Sequence, residues 1–423
     1  MALRRGLVAA AATTVTLALA ATGCSASPND DSVTLQFWAI TPDEEGQAEM
    51  DAAIADFEKE NPGIKVEFTG KVTENMKESL RQVVGTPAAP DIFFQWSGLG
   101  LGGTYVEQGA TLDLTEYYEK YEWDKRFTAS ALASVTQYGG YQGVPNTANV
   151  EAIVYNKAIF DAAGVTAVPT TYEELVEAAE KIDAAGYIPI EFGGAVNWYV
   201  MRLLDNLLET KCGAELNDEL TSLEANWAKE PCVDDAFGAL KLWADKYFNP
   251  DWVSATEVQG QQHFFDGQAA MALEGDWFAG ALEEAGFEPK SDLGVFAFPT
   301  GTGRIYGLQT ANYVSATSEH PDEAALFLDF LTDPERPTEG PAPAVPVTVE
   351  ATEPDPEAGA GLFPAFADVA LAATGQFQNN DQTLPLDVTT EYWRIQNGVA
   401  TGSIPVEEAG NLMQTFIDNR VNG

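Results

Sequence analysis

The spacing of hydrophobic residues in the first hundred positions switches repeatedly between two periods. Residues 33–38 and 91–96 are apolar runs of the kind found in buried strands, and 65–69 alternates as a strand. Between them, 50–57 and 76–84 place apolar side chains at helical spacing. Strands that alternate with helices of this length predict an α/β unit with a mostly parallel sheet covered on both faces.

The remainder of the chain repeats this scheme. Thr171 and Glu174 form a capping-box pattern at the start of a predicted helix. Three further segments have the composition of strands: 187–192, 269–273 and 293–298. A helix predicted over 322–331 returns to the first unit, and 333–361, rich in Pro and Glu, reads as an exposed connection.

The stretch 143–157 lies between the two units. Pro145 cannot donate a hydrogen bond to a sheet, so we expect the preceding sheet to end there and a new strand to run from Val150 to Tyr155. A short helix is predicted from Lys157. The stretch therefore predicts a crossover between two lobes, with the Glu151 carboxylate facing the cleft between them.

Length and charge narrow the class of protein. At 423 residues the chain is too long for one ordinary core and suits two domains. It carries 65 acidic residues against 22 basic ones, a formal net charge of -43. A nucleic-acid binder needs basic patches, so we set that class aside. We interpret the acidity as a solvated, soluble surface.

Residues 1–23 have the character of a lipoprotein signal peptide. Arg4 and Arg5 precede an apolar stretch that is too short to span a bilayer comfortably. Ala21 to Cys24 resembles a bacterial lipobox, with alanine where leucine is usual. We predict lipidation of Cys24 and a polar tether over 24–32; ordinary cleavage near the same place is the alternative, and the export route stays open between Sec and twin-arginine.

The three cysteines fit an exported protein. Cys24 accounts for the odd one, and outside the cytosol Cys212 and Cys232 can form a disulfide. No spacing resembles CxxC, and the histidines are His263 and His320. We therefore expect neither a metal site nor a cofactor.

Glycines at 98, 100 and 103 match the pattern GxGxxG after a predicted strand. That strand is the third of its unit, so we favour a tight turn that presents Trp96 and backbone amides at a helix start over a dinucleotide site. GxSxG, HExxH and P-loop motifs do not occur in the sequence. Paired carboxylates for glycoside hydrolysis stay open, because an acidic chain offers too many pairs.

Several of the nine tryptophans stand where predicted strands end or helices begin. Ligands of open α/β sheets bind at the carboxyl ends of strands. The C–H face of a sugar stacks on an indole ring, while its hydroxyls need carboxylates and amides. Trp277, beside Gly275 and Asp276, is expected to face the cleft. Three others are assigned to the core: Trp227, Trp243 and Trp252.

Six segments together resemble family 1 extracellular solute-binding proteins, the carbohydrate-binding lipoproteins of ABC importers, and are distantly similar to maltose-binding protein. They are PDIFF at 90–94, GVP at 143–145, VEAIVYNK at 150–157, PTTYEEL at 169–175, MALEGDW at 271–277 and PDEAA at 321–325. The resemblance implies an α/β, two-lobed periplasmic-binding-protein-like fold (type II) whose lobes are joined by a hinge. Lobe 1 would comprise 33–148 and about 311–349, and lobe 2 would comprise 149–310 and about 350–423.

The resemblance also implies ligand-binding residues. Glu151 matches a cleft carboxylate, Trp277 a stacking tryptophan, and Trp96 an aromatic residue after the Pro-Asp strand. The relative has an aspartate soon after that aromatic residue, whereas Ser97 and Gly98 follow here, so that polar contact is lost or changed. Further candidates match approximately or stand at a strand end or in a polar loop: Trp38, Asp43, Trp198, Asp381, Gln382 and Trp393.

The sequence thus predicts a monomeric receptor without catalytic activity, anchored to the outer face of the cell membrane only by its lipid. It would bind a mono- or oligosaccharide and deliver it to the permease subunits of an ABC importer. Two rival hypotheses are a secreted glycoside hydrolase that uses two of the same carboxylates and a receptor for a cationic solute.

Overall fold

The computed structural model describes residues 32–334, 336, 345–349 and 361–422. The signal segment, Cys24, the tether up to residue 31 and most of the 333–361 connection lie outside the described residues. In the described part of the chain, no helix is both long and apolar enough to cross a membrane.

The strands of the described residues are β1 (Val33–Ile40), β2 (Ile64–Lys71), β3 (Ile92–Trp96), β4 (Val144–Asn156), β5 (Ile188–Ile190), β6 (Ala269–Gly275), β7 (Leu293–Phe296), β8 (Arg304–Val314) and β9 (Gly375–Gln378). They join in one sheet in the order β2-β1-β3-β8-β4-β6-β5, with β7 on β4 and β9 on β8. The expectation of a mostly parallel sheet is wrong. The sheet is mixed, because β8 lies antiparallel to β3 and β4, and β4 is antiparallel to β6 and β7.

The α-helices of the described residues are α1 (Glu44–Glu60), α2 (Thr73–Val83), α3 (Gly102–Glu107), α4 (Thr115–Tyr121), α5 (Trp123–Arg126), α6 (Ala129–Thr136), α7 (Lys157–Ala162), α8 (Tyr172–Ala184), α9 (Asn197–Cys212), α10 (Ala214–Thr221), α11 (Pro231–Lys246), α12 (Glu257–Phe265), α13 (Phe278–Glu284), α14 (Pro289–Asp292), α15 (Pro321–Leu331), α16 (Phe363–Ala372), α17 (Asn380–Thr383), α18 (Leu386–Ala400) and α19 (Ala409–Asn422). The predicted capping box is present at α8, where Thr171 accepts from the Glu174 N–H and Glu174 accepts from the Thr171 N–H.

Strand β4 does not break at Pro145. It runs on to Asn156, and Pro145 pairs with Ala311 at its start. The register against β8 shifts between Pro145 and Ala148, so an irregularity near the proline replaces the expected chain break. Strands β4 and β8 therefore form a continuous pair through the middle of the sheet.

Buried side chains form three hydrophobic clusters. One draws on residues 35–144 and 311–328, and we call the elements around it lobe 1. The other two draw on 150–305 and 362–417 and occupy opposite faces of β4, since Ile153 belongs to one and Val150 to the other; we call their elements lobe 2. The described residues from Val33 onward form one compact unit.

The helix predicted over 322–331 was expected to return to the first unit. Helix α15 does so, because its Phe327 and Leu328 pack on the lobe 1 cluster. The boundaries predicted at 148/149 and 310/311 fall inside β4 and β8, which border both lobes.

The glycine turn after β3 is packed against a second stretch of backbone. A Cβ atom on Gly98 would lie 2.2 Å from the Gln382 carbonyl oxygen, and one on Gly100 would lie 2.4 Å from that of Asp381. The Leu99 N–H donates to the Gln382 carbonyl at 2.7 Å. Because the 381–384 backbone fills the hollow of this turn, the glycines serve close chain packing before α3 rather than a pyrophosphate.

A disulfide joins Cys212 at the end of α9 to Cys232 in the first turn of α11, with 5.1 Å between the two Cα atoms. The predicted pairing is therefore present. The bond closes the excursion that contains α10, and both cysteines pack against the larger lobe 2 cluster.

Substitution of Gly100 by alanine should destabilise the fold. The added methyl group would meet the backbone oxygens of Asp381 and Leu384 at 2.4 and 2.6 Å, and backbone cannot turn away as a side chain can. We expect a loss of about 1–3 kcal/mol in the free energy of unfolding, measured by denaturant titration. Gly238→Ala is the control, because its methyl group would find only Val406 at 3.7 Å and α11 favours alanine. Equal stability of the two variants would contradict the packing described here.

Removal of the disulfide by Cys212→Ser and Cys232→Ser together should lower the free energy of unfolding by roughly 3 kcal/mol, because the cross-link restricts the unfolded chain. The same denaturant titration measures it. Ligand affinity should stay unchanged, since the bond lies at the far end of α9 from the site described next. Two titratable thiols at these positions in the unreduced protein would show that the bond does not form.

Candidate functional site

Helix α9 carries a buried arginine at the centre of the molecule. The Arg202 side chain is 4% exposed, and its Nη1 lies 2.6 Å from a carboxylate oxygen of Glu274 in β6. Its Nε lies 2.7 Å from a carboxylate oxygen of Glu151 in β4. Strand alternation places Glu151 on the same face of β4 as Ile153, toward α9. A buried charge is tolerated when it is paired, and two strands supply its partners here.

A chain of hydrogen bonds extends this ion pair through lobe 2. Glu274 accepts from the Tyr199 hydroxyl at 2.7 Å and from the Gln261 amide at 2.6 Å. The Tyr199 oxygen also contacts the buried Glu191 carboxyl group. Tyr199 has one proton to give and contacts both carboxyl groups, so one of the two contacts needs a proton on the glutamate.

The electrostatics of lobe 2 agree with that arrangement. Burial, reinforced by repulsion from Glu274, raises the pKa of Glu191 well above its ordinary value. Burial also raises the pKa of Glu151 to about 7 against the opposing attraction of Arg202. Burial and the Glu274 charge raise the pKa of Glu257 in the first turn of α12 to about 7. The site therefore holds carboxyl groups that are costly to ionise without a donor beside them.

Tryptophans lie against the two cations of the site. The Arg202 guanidinium carbon is 4.7 Å from the Trp198 ring centre and 5.2 Å from that of Trp277. Trp277 is 36% exposed and folds over Gly275, where a Cβ atom would lie 2.1 Å from the ring. Trp96, at the end of β3, lies 4.8 Å from the Lys77 ammonium.

The first turns of α2 bring lobe 1 to these residues. The Lys77 ammonium lies 5.6 Å from the Trp198 ring centre as well as beside Trp96. Glu74 accepts a hydrogen bond from the Trp198 indole N–H at 2.9 Å. Since α2 belongs to lobe 1 and α9 to lobe 2, the lobes touch across the site in this structure.

The segment 379–384 forms the floor between the lobes. Buried Asp205 of α9 accepts from the Asn380 backbone N–H at 2.9 Å and from its side-chain amide at 2.8 Å, which fixes the two residues that follow. The Gln382 amide donates to the Gln309 carbonyl at 2.8 Å and also to that of Ser97. Gln382 therefore ties the floor to the turn after β3 and to β8 through its own amide.

Asp381 is the carboxylate of this floor that keeps acceptor capacity. It is 5% exposed, and among the described residues no other residue donates a hydrogen bond to its carboxylate. Burial raises its pKa, while the positive charges of Lys77 and Arg202 oppose the rise. A buried carboxylate near two cations and without a dedicated donor is suited to accept hydrogen bonds from a ligand.

The structure brings together five of the predicted residues around Arg202 and Lys77: Trp96, Glu151, Trp198, Trp277 and Asp381. Glu151 lies behind Arg202 and is 1% exposed, with its second oxygen accepting from the Asn379 amide at 3.1 Å. The expectation that its carboxylate faces the cleft is therefore wrong, because the carboxylate is buried and paired with Arg202.

Four other predicted residues have different surroundings. Trp38 lies under the Lys71 ammonium at 4.2 Å, and the Trp393 indole N–H contacts the Met201 sulfur at 3.2 Å within lobe 2. Asp43 caps α1 by accepting from the Gly46 N–H at 2.8 Å, on the side that faces Gly280 of α13. Gln382 forms the tie already described. Their predicted ligand contacts stay predictions.

Sequence reasoning missed Arg202, Lys77, Glu74 and Glu257. For Arg202 a signal existed: the other residues of 198–204 are apolar over nearly two turns of helix, so an arginine inside that run required a buried partner. Lys77 and Glu74 gave no such signal, because α2 is amphipathic and charges on its open face are ordinary.

The site can bind a ligand that presents flat apolar faces to indole rings and polar groups to Asp381 and Glu257. Among the described residues, no group of three or more His, Cys, Asp or Glu side chains could hold a metal ion.

The chain is similar in sequence to several proteins of known sequence. Over 339 residues the chain is 26% identical to the multiple sugar-binding protein of Streptococcus mutans, covering 76% of each chain. It is 25% identical over 288 residues to an ABC transporter extracellular-binding protein of Pyrococcus horikoshii, covering 67% of this chain and 64% of that relative. A maltotriose-binding protein of Pyrococcus abyssi is 24% identical over 65% of this chain and 57% of its own.

Solved structures share the fold. A chitin oligosaccharide binding protein superposes with a TM-score of 0.80 at 24% identity, covering 93% of this chain and all of the other. RafE in complex with raffinose gives a TM-score of 0.70 at 22% identity over 92% of this chain and 99% of its own. Residues 41–336 match the family model for bacterial extracellular solute-binding proteins, and the chain therefore belongs to that family.

Proposed function

We propose that this protein is the tethered sugar receptor of an ABC importer and holds a mono- or oligosaccharide between its lobes. The observation that carries the proposal is that Trp96 of lobe 1 and Trp198 and Trp277 of lobe 2 meet around one charged site. The sugar-binding relatives and the shared fold support the same ligand class.

The ligand would be recognised by complementary surfaces. Indole rings accept the C–H faces of sugar rings, and carboxylates accept hydrogen bonds from hydroxyl groups. Trp277 is suited to stacking because it is the most exposed of the three tryptophans and Gly275 leaves room for its ring. Asp381 and Glu257 are suited to accept from hydroxyls.

Glu151 contributes through Arg202 in this proposal. Its carboxylate fixes the guanidinium that lies beside Trp198 and Trp277, so it orients the platforms rather than the sugar. Removal of this carboxylate would leave Arg202 with one ionic partner instead of two.

Lobe movement would control access. We infer that 33–148 with about 311–349 moves against 149–310 with about 350–423, and that β4, β8 and the Gln382 tie act as the hinge. Closure about such a hinge buries the sugar and is the general behaviour of two-lobed receptors.

The cellular setting follows from the N-terminal sequence. Export through the 1–23 segment and lipidation of Cys24 would anchor a monomer to the outer face of the cell membrane, where it passes sugar to the permease subunits. No catalytic step is proposed, because Glu151 and Glu274 are tied to Arg202.

One observation favours a second candidate, a receptor for a cationic solute. The indole rings of Trp96 and Trp198 already accept the Lys77 ammonium, and three carboxylates, those of Glu74, Glu257 and Asp381, lie near it. Polyamines and sugars in one binding screen separate the two candidates.

Thermal-shift screening against mono- and oligosaccharides should identify a stabilising sugar, because a ligand that binds only the folded state raises its melting temperature. Against that sugar, Trp277→Ala should weaken binding by at least about tenfold, or 1.4 kcal/mol, through lost stacking area. Calorimetry measures the affinity, and Leu371→Ala, an exposed apolar truncation on α16, is the control. Full affinity with a much lower melting temperature would make Trp277 a core residue.

Membrane fractionation tests the anchor. In the native host the protein should sediment with membranes, and Cys24→Ser should release it, because a thioether-linked lipid needs the cysteine sulfur. Cys212→Ser with Cys232→Ser is the matched control and should stay on the membrane. An N-terminal fragment without acyl mass in the wild type would mean ordinary cleavage instead.

A further inference from the structure

Helix α2 contacts the other lobe across the site through residues that its sequence pattern does not single out. Its apolar residues Met76 and Leu80 are buried in the lobe 1 cluster. Glu74 and Lys77 are three residues apart and therefore share a different face of the helix. Both contact Trp198, which stands on α9 in lobe 2.

The two contacts are chemically different and involve the same ring, the Trp198 indole. Glu74 accepts from the indole N–H at 2.9 Å, which fixes the ring edge. The Lys77 ammonium lies 5.6 Å from the ring centre and 4.8 Å from that of Trp96, so it stands between an aromatic residue of each lobe. A charged acceptor and a cation–π partner together restrict the indole more than either does alone.

Longer-range electrostatics act between the same surfaces. Burial raises the pKa of Asp381 and of Glu257, two carboxyl groups of segments packed in lobe 2, and the positive charge of Lys77 opposes that rise. The ammonium of lobe 1 is therefore attracted to lobe 2 by more than the indole ring.

We propose that Glu74 and Lys77 form an interlobe clasp on Trp198, which orients this indole and stabilises the closed arrangement of the lobes. Glu74 and Lys77 are positioning residues in this proposal, since they act on the sugar through Trp198. The inference rests on the proposed function where it concerns sugar affinity, but the clasp itself is a property of the protein.

A closed arrangement that is stabilised by the clasp raises the apparent affinity, because affinity scales with the populated fraction of the binding-competent state. Loss of the clasp should act mainly on dissociation, since closure holds the ligand in place. A residue that contacts only the sugar would instead act independently of Trp198.

A double-mutant cycle separates these cases. Trp198→Phe keeps an aromatic ring and removes the N–H, and Glu74→Ala removes its acceptor. Each should weaken sugar binding by about five- to tenfold and speed dissociation, and the double variant should be no weaker than the weaker single variant. Losses that multiply would overturn the proposal, because Glu74 would then act without the indole.

The chain offers matched controls for each change. Glu78→Ala removes a glutamate of the same helix that bonds to Arg81 and Gln82 of α2 itself. Trp123→Phe removes an indole N–H that donates to Asp329 inside lobe 1. For the lysine, the sugar affinity of Lys77→Met is compared with that of Lys71→Met. In the wild type, the Lys71 ammonium lies 4.2 Å from the Trp38 ring centre within lobe 1. The three controls should keep wild-type affinity.

A second measurement needs no ligand. In a spectrum of isotope-labelled tryptophan indole N–H groups, Trp198→Phe identifies the Trp198 signal by its disappearance. Glu74→Ala should shift that signal, and Glu78→Ala should leave it in place. An unmoved signal in Glu74→Ala would overturn the clasp even if sugar binds. If no carbohydrate binds to the wild type, the proposed function fails and this spectrum still decides the clasp.

Discussion

The structure depends on one buried charge. Arg202 lies in α9 among the apolar side chains of 198–204, and removing a guanidinium from water is costly unless carboxylates pair with it. Glu151 and Glu274 do so at 2.7 and 2.6 Å, and they come from two adjacent strands, β4 and β6. The ion pairs therefore fix the height and rotation of α9 against the sheet. Trp198 and Tyr199, on the preceding turn, take their places from the same constraint.

The ion pairs also organise the acidic groups of lobe 2. Arg202 supplies one positive charge, whereas Glu151, Glu274 and Glu191 all lie buried around it. Burial and repulsion from Glu274 raise the pKa of Glu191 well above its ordinary value, which favours a protonated carboxyl group beside Tyr199. Asp381 and Glu257 lie at the edge of this network with Lys77 as a nearby cation. The acidic character of the chain thus extends to buried carboxyl groups, which favour hydrogen-bond donors beside them.

Backbone geometry holds the two lobes in register. Strands β4 and β8 pair along the middle of the sheet, and the Gln382 amide bonds the carbonyls of Ser97 and Gln309 beside them. Gly98 and Gly100 leave room for the 381–384 backbone where any side chain would collide. Asp205 anchors that segment from α9, so the helix that carries Arg202 also carries the floor of the site.

Local patterns in the sequence determined much of the fold. Hydrophobic periodicity located most helices and strands, the capping box of α8 was correct, and two cysteines in an exported chain were enough to predict the disulfide. The periodicities and the capping box depend on residues that are close together in the chain. The disulfide depends on the one pair of cysteines that is left once Cys24 is set aside. Trp96, Trp198 and Trp277 were predicted because they stand where strands end or helices begin. The structure places them around Arg202 and Lys77, and their ligand contacts stay predictions. Tertiary structure decided the features that depend on distant partners. Strand β4 continues through Pro145 because β8 accommodates a register shift. Glu151, which was predicted to face the cleft, pairs with Arg202 instead. Glu74 and Lys77 became part of the site only because folding places α2 of one lobe against α9 of the other, a contact between residues 124 positions apart that no local spacing encodes.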